Sequence, residues 1–191
     1  MTPVKKAVSL FFCLAIFAAC DKKSFPAIPQ LLNNTDVEAG SGQPNNWWKY
    51  NTTPYVSTWT TDESLSPKHS LELSSDIIDS VNFAFWAQTF DGVIPVGKDL
   101  VLSVKIKGKN LGGQGLSIAI RADDTASPMG YSEQFITTQG TTGITGTFDW
   151  TTYTVRLPAI QNNIKSVTIY LLFLPRTTGT AYFDDPALQT N

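Results

Sequence analysis

The sequence predicts an all-β domain, a two-sheet antiparallel β-sandwich or jelly roll, on three observations. From residue 31 on, no window places apolar residues at i, i+3, i+4 and i+7, whereas apolar and polar residues alternate repeatedly with a period of two. Gly, Pro, Asn and Asp punctuate these runs, as turns between strands require. No repeat of about 20 to 50 residues recurs, which argues against a propeller or solenoid.

The elements follow in order. Short runs at 35–38, 47–53, 56–61 and 69–74 open the domain, and the run at 81–90 is apolar on both faces, as a covered central strand is. In 100–107, Leu100, Leu102, Val104 and Ile106 share one face, and Val101, Ser103, Lys105 and Lys107 share the other, partly solvated one. The glycine-rich stretch 108–115 reads as a hairpin loop, after which Leu116, Ile118 and Ile120 repeat the pattern against Ser117, Ala119 and Arg121. A turn around Pro128 at 126–130 leads to runs at 132–138 and 149–157, the connection 158–165 leads to a second two-faced strand at 167–174, and 179–188 closes the domain. About ten or eleven short strands result, which pack best as two sheets that shield their edges.

Composition removes several functions. Of 191 residues, 42% are hydrophobic and 16% charged, the makeup of a folded domain rather than a disordered chain. Fourteen Lys and Arg against 16 Asp and Glu create no basic field, so no nucleic acid is expected as partner. One His and two Cys, with no CxxC pair, exclude structural zinc.

Lys5 and Lys6 precede an apolar stretch from Ala7 to Ala19, shorter than the ~20 residues that cross a bilayer, and this reads as a signal peptide over 1–19. The sequence Ile16-Phe17-Ala18-Ala19-Cys20 resembles a bacterial lipobox, in which the Cys becomes the first residue and takes the lipid. The resemblance implies a lipoprotein of the bacterial cell envelope, periplasmic or on the outer-membrane surface, held to the membrane through Cys20 alone. Residues 20–30, with Pro26 and Pro29, serve as a tether, and 31–191 form the domain. An ordinary secretory signal cut after Ala19 is the competing reading.

Motifs along the domain point to a family. Leu31 to Gly40 followed by Trp47 resembles the "NxxFExG…W" opening of jelly-roll carbohydrate-binding modules of the galactose-binding-like superfamily. Ser70-Leu71-Glu72-Leu73 is similar to its "GxxSLxL" strand, Phe85-Trp86-Ala87-Gln88 to its apolar strand ending in Gln, and Trp150-Thr151-Thr152-Tyr153 to its "xxWTxY" strand. Gly179 to Asp185 resembles the closing "GxxYFDD" strand; Val37 departs from the usual Phe, and Lys68-His69 stands where Gly-Lys is common. The resemblance implies capture of a polysaccharide or oligosaccharide beside glycan-processing proteins. It also implies one structural calcium ion held by Glu38 and Asp184, with Asp185 as the alternative ligand, since Ca²⁺ takes 6 to 8 hard oxygens.

A neutral sugar offers C–H patches and hydroxyls, so a site needs flat rings and planar amides or Arg. In 81–90, Val81, Phe83, Phe85 and Ala87 make the better core face against Asn82, Ala84, Trp86, Gln88 and Phe90, which leaves Trp86 and Gln88 outside with Arg121 and Tyr170. Against this stands a reading in which Trp86 packs under a loop and Gln88 serves backbone groups. Adjacent Trp47 and Trp48 must point to opposite faces of a strand, Trp47 inward and Trp48 outward, and Trp59 with Tyr55 is placed at a loop rim. Catalysis has weaker support: His69 has no partner nucleophile motif, and no run such as ExDxE supplies alternating acids. Two other readings compete, a non-catalytic structural or protein-interaction surface lipoprotein and a divergent glycan hydrolase or lyase.

Overall fold

The computed structural model describes residues 29–90, 92–126 and 132–191. The signal peptide, Cys20, most of the tether and the turn around Pro128 lie outside the described residues. Within them the chain is all β, in nine strands: β1 (Trp48–Tyr50), β2 (Val56–Thr60), β3 (Ser70–Ser75), β4 (Ala84–Phe90), β5 (Leu100–Asp123), β6 (Gln134–Thr137), β7 (Ile144–Leu157), β8 (Ser166–Phe173) and β9 (Thr178–Thr190). All pairings between them are antiparallel, in the order β1-β4-β8-β5-β9-β3-β2, with β6 and β7 both added to β5.

The expected two-sheet sandwich is hydrogen-bonded as one continuous sheet, because β5 belongs to both halves. Its first part pairs with β7 and β9, and its second part, Leu116 to Asp123, pairs with β8 and, from Ala119, with β6. The stretch 108–115, predicted as a hairpin loop, runs on within β5 through register shifts that break the ladder at Gly108, Leu111 and Leu116. Glycine marks close backbone approach here, not a turn. Gly113 has φ +72°, and a Cβ there would collide with the Arg176 carbonyl. Gly113→Ala is therefore expected to cost about 2–3 kcal/mol, from left-handed strain and displacement of the 174–177 turn. Denaturant unfolding checks this, with Gly140→Ala, where a Cβ meets nothing, as the control for left-handed strain alone.

The sheet folds back so that its halves meet across the core. Leu100, Leu102, Val104 and Ile106 point inward as predicted, as do Leu116, Ile118 and Ile120, facing Leu71, Leu73 and Phe183 of the other strands. Trp86 on β4 reaches across and donates its Nε1 hydrogen to the Glu72 carbonyl of β3 at 3.0 Å. Tyr55 packs edge-on against Phe173 at 5.7 Å.

The segment 35–38 is a turn rather than a strand, with Val37 buried at φ +50°. Asn34 organises it, donating through Nδ2 to the carbonyls of Ala39 (2.9 Å) and Asn45 (3.0 Å) and accepting from the Ala39 N–H at 2.9 Å. Trp47 Nε1 donates to the Asn34 carbonyl at 3.0 Å, so the Asn and Trp of the opening motif brace one another.

Candidate functional site

The outer face of β1-β4-β8-β5-β6 is built row by row from strand register. One row runs Trp48, Ala87, Tyr170, Ala119 and Thr137; the next runs Tyr50, Phe85, Leu172 and Ser117; a third runs Thr89, Thr168, Arg121 and Phe135. Small residues between large ones leave a dip, and the result is a depression of about 330 Å³ lined by Trp48, Phe83, Phe85, Arg121, Phe135, Tyr170 and Leu172.

Its aromatic side is fixed by ring contacts. Trp48 and Tyr170 both meet Phe85 edge-on, at 5.2 and 5.1 Å between centroids, and Tyr50 and Phe83 stack toward Phe85 at 5.6 and 6.1 Å. Such contacts contribute about 0.5–1.5 kcal/mol each and hold the rings in place before any ligand arrives. Trp48 keeps 39% of its surface and Phe135 52%, so both present open ring surface. Arg121 donates from Nε to both carboxylate oxygens of Asp123, at 2.9 and 3.0 Å, and from Nη2 at 2.9 Å. Burial pushes the Tyr170 hydroxyl above the usual tyrosine range, opposed by the nearby Arg121 charge.

The six expected saccharide contacts divide. Trp48, Arg121 and Tyr170 come together in the groove. Trp86 and Gln88 do not: β4 has the opposite facing to the predicted one, and Trp86 is 1% and Gln88 2% exposed. Gln88 braces the entry segment, accepting from the Asn33 N–H at 2.7 Å and donating to the Asn33 carbonyl at 2.9 Å. Trp59 lies on β2, half-buried, donating to the Val37 carbonyl at 2.8 Å and stacked on His69 at 4.2 Å. Phe83, Phe85, Phe135 and Leu172 line the groove although sequence reasoning did not select them.

Glu38 and Asp184 are neighbours, but their donor set does not fit calcium. Glu38 Oε1 accepts from the N–H groups of Lys68 (2.8 Å) and His69 (2.7 Å) and from the Ser66 hydroxyl (3.1 Å), while its Oε2 takes the His69 Nδ1 hydrogen at 2.8 Å. Asp184 Oδ2 accepts from the N–H groups of Leu65 and Ser66, both at 2.8 Å, and lies 3.0 Å from the Ser66 hydroxyl, whose one hydrogen it shares with Glu38 Oε1. A cation needs oxygens with open lone pairs, and these face hydrogens instead. Asp185, the alternative ligand, is exposed and only its N–H reaches Asp184, at 2.8 Å.

The two carboxyls give opposite pH dependences. At Glu38 burial works against ionisation, but the His69 N–H and ring, the Lys68 N–H and the Ser66 hydroxyl outweigh it and hold the group at about 2, below its ordinary 4.5. That depressed value stabilises the fold above pH 4.5 and is lost as pH falls toward 2, a contribution of about 2 kcal/mol after allowance for partial exposure. Burial raises Asp184, so its ionised form carries a penalty at neutral pH that is relieved as it protonates. Denaturant midpoints between pH 7 and 2 are expected to fall along the acid limb, and Glu38→Gln to flatten it.

No family model and no curated protein matches the chain. Solved structures do match in fold. A Stig cyclase, Fisc, from Fischerella sp. TAU aligns at a TM-score of 0.60 and 17% identity, over 86% of this chain and 96% of that one. The CBM22-1 xylan-binding domain of Xyn10C from Paenibacillus barcinonensis aligns at 0.54 and 13%, over 87% and 97%. TmCBM61, solved with beta-1,4-galactotriose, aligns at 0.52 and 14%, over 85% and 99%. The fold is thus the jelly-roll fold found in carbohydrate-binding modules and also in enzymes.

Proposed function

We propose that this protein is a carbohydrate-binding module that captures a poly- or oligosaccharide in the groove of the outer face, carried on the bacterial cell envelope by lipid on Cys20. The observation that carries the reading is the packed aromatic cluster of Trp48, Phe83, Phe85 and Tyr170, with open ring surface on Trp48 and on Phe135 across the groove and a single guanidinium among them. Sugar C–H faces stack on such rings, and Arg121, held by Asp123, fixes the polar edge of the groove beside them. The carbohydrate-binding modules among the structural neighbours support the same ligand class. Lipid anchoring rests on the Lys5-Lys6 and Cys20 motif, and glycan-processing proteins on the same membrane are the natural companions of such a module.

A binding role is favoured over hydrolysis by the lining itself. Among the described residues, the groove is lined by no pair of carboxylates, and general acid chemistry on a glycosidic bond with a second carboxylate needs two. Two or three stacking contacts and a few hydrogen bonds give millimolar to micromolar affinity, on the order of 4–8 kcal/mol.

Calorimetric titration with linear β-1,4-galactan and with xylan tests the proposal. Binding by the wild type, weakened about tenfold in Trp48→Ala while that variant stays folded with its unfolding midpoint lowered by only a few degrees, is the expected result. Absence of heat with every neutral polysaccharide, or binding indifferent to Trp48→Ala, overturns it.

A further inference from the structure

The groove is poor in uncommitted hydrogen-bonding groups. Gln88, the amide expected beside the rings, is turned into the core, and Arg121 is held by Asp123. A sugar held mainly on rings leaves most of its hydroxyls to water, so the amides that a saccharide site needs have to come from beside the groove.

They lie just beyond the end of β8. Tyr170 and Leu172 line the groove, and Leu174, two residues on, lines a separate depression of about 450 Å³. Leu174 is the first residue past the end of β8, about 7 Å beyond Leu172, so the second hollow opens where the groove's strand ends. The Leu174 N–H donates to the Gly115 carbonyl at 3.0 Å, which brings Gln114 to one side of the second hollow. The turn after β6 brings Gln139 to its other side. That turn is closed by the N–H groups of Thr141 and Thr142 on the Thr138 carbonyl, at 3.1 and 2.9 Å, and Thr138 is tied to β5 through the Ile118 carbonyl at 3.1 Å. Gln114 and Gln139 are exposed, and among the described residues their amides make no hydrogen bond. No charged side chain lines this hollow; Thr141, Thr142 and Leu116 complete it with two glycines.

We propose that the second hollow is a saccharide subsite continuous with the aromatic groove. The rings hold the C–H faces of one stretch of a neutral polysaccharide, and the amides of Gln114 and Gln139 take the hydroxyls of the next. The uncharged lining sets the ligand class: a neutral, hydroxyl-rich chain longer than the groove. This inference rests on the groove being a saccharide site.

The test compares wild type, Gln114→Ala/Gln139→Ala and Trp48→Ala by calorimetric titration with linear β-1,4-galactan, xylan and the trisaccharides of each. Both glutamines are exposed and unbonded, so the double variant keeps its fold, which its unfolding midpoint verifies. The expected result is a loss of tenfold or more on the polymer in the double variant, each net hydrogen bond being worth about fivefold, with trisaccharide affinity unchanged. Trp48→Ala is expected to weaken both ligands. Polymer affinity unchanged in the double variant while Trp48→Ala still weakens it overturns the subsite and leaves the groove standing. Absence of binding to every saccharide by the wild type overturns the groove reading and the subsite with it.

Discussion

Trp86→Ala is expected to destabilise the fold by about 3–5 kcal/mol, lowering the thermal midpoint by roughly 10 °C or more, as large-to-small changes of buried aromatic side chains do. The indole is fully enclosed, one of the largest buried side chains, and its Nε1 hydrogen bond to the Glu72 carbonyl joins β4 to β3 across the core. Alanine leaves a cavity where two halves of the sheet meet and an orphaned carbonyl beside it. Lys49 adds to the cost, since its ammonium lies 5.2 Å from the indole centroid. Trp86→Phe restores most of the volume but not the donor, and is expected to cost about 1–3 kcal/mol. Guanidinium unfolding followed by circular dichroism measures both. A Trp86→Ala protein as stable as wild type would show that β4 faces the other way, with Phe83 and Phe85 inside.

The facing of β4 is where sequence reasoning and structure part, and the cause is physical. In β5 the apolar rows stand against rows that carry Ser, Lys and Arg, so period two assigns the core face without ambiguity: Leu116, Ile118 and Ile120 inward, Ser117 and Arg121 outward. β4 carries apolar residues on both faces, and the set without Asn82 and Gln88 reads as the better core face. An exposed aromatic surface is made of the same rings that fill cores, so apolar character cannot separate Phe83 and Phe85 in the groove from Trp86 in the interior. Gln88 misled for a related reason: a polar residue on a core-facing row is read as solvent-facing unless its backbone partner, Asn33, is known. Trp47 and Trp48 were separable because adjacency forces them apart, and Trp47 is indeed buried with Trp48 outside. Phe135 carried a usable signal that was passed over. It alternates with Ile136 in a polar run, which puts an aromatic ring on the open side of an edge strand. The glycines of 108–115 show the same limit from the backbone side, because close approach and turning use the same residue.

Asp184→Ala is expected to cost about 3 kcal/mol or more, although the wild-type carboxyl is itself penalised by burial. Asp184 is 0% exposed and closes the 61–69 connection onto β9 through the N–H groups of Leu65 and Ser66 and the Ser66 hydroxyl. Without it these donors are left unpaired in a place water reaches poorly, a cost of about 1–3 kcal/mol for each group that finds no partner. The loss also spreads, because the Ser66 hydroxyl lies within hydrogen-bonding distance of Glu38 as well as Asp184, and Glu38 in turn holds Lys68 and His69. Asp184→Asn keeps one acceptor but sets amide hydrogens against N–H donors, so it is expected to fall between alanine and wild type. Chelator separates this network from a metal site. If backbone N–H groups and Ser66 satisfy the two carboxylates, EDTA leaves the unfolding midpoint where it was and added Ca²⁺ does not raise it. A midpoint that falls in EDTA for wild type, and no longer does so in Asp184→Ala, would mean that a cation takes the place of those hydrogens and that the 61–69 connection rearranges to admit it.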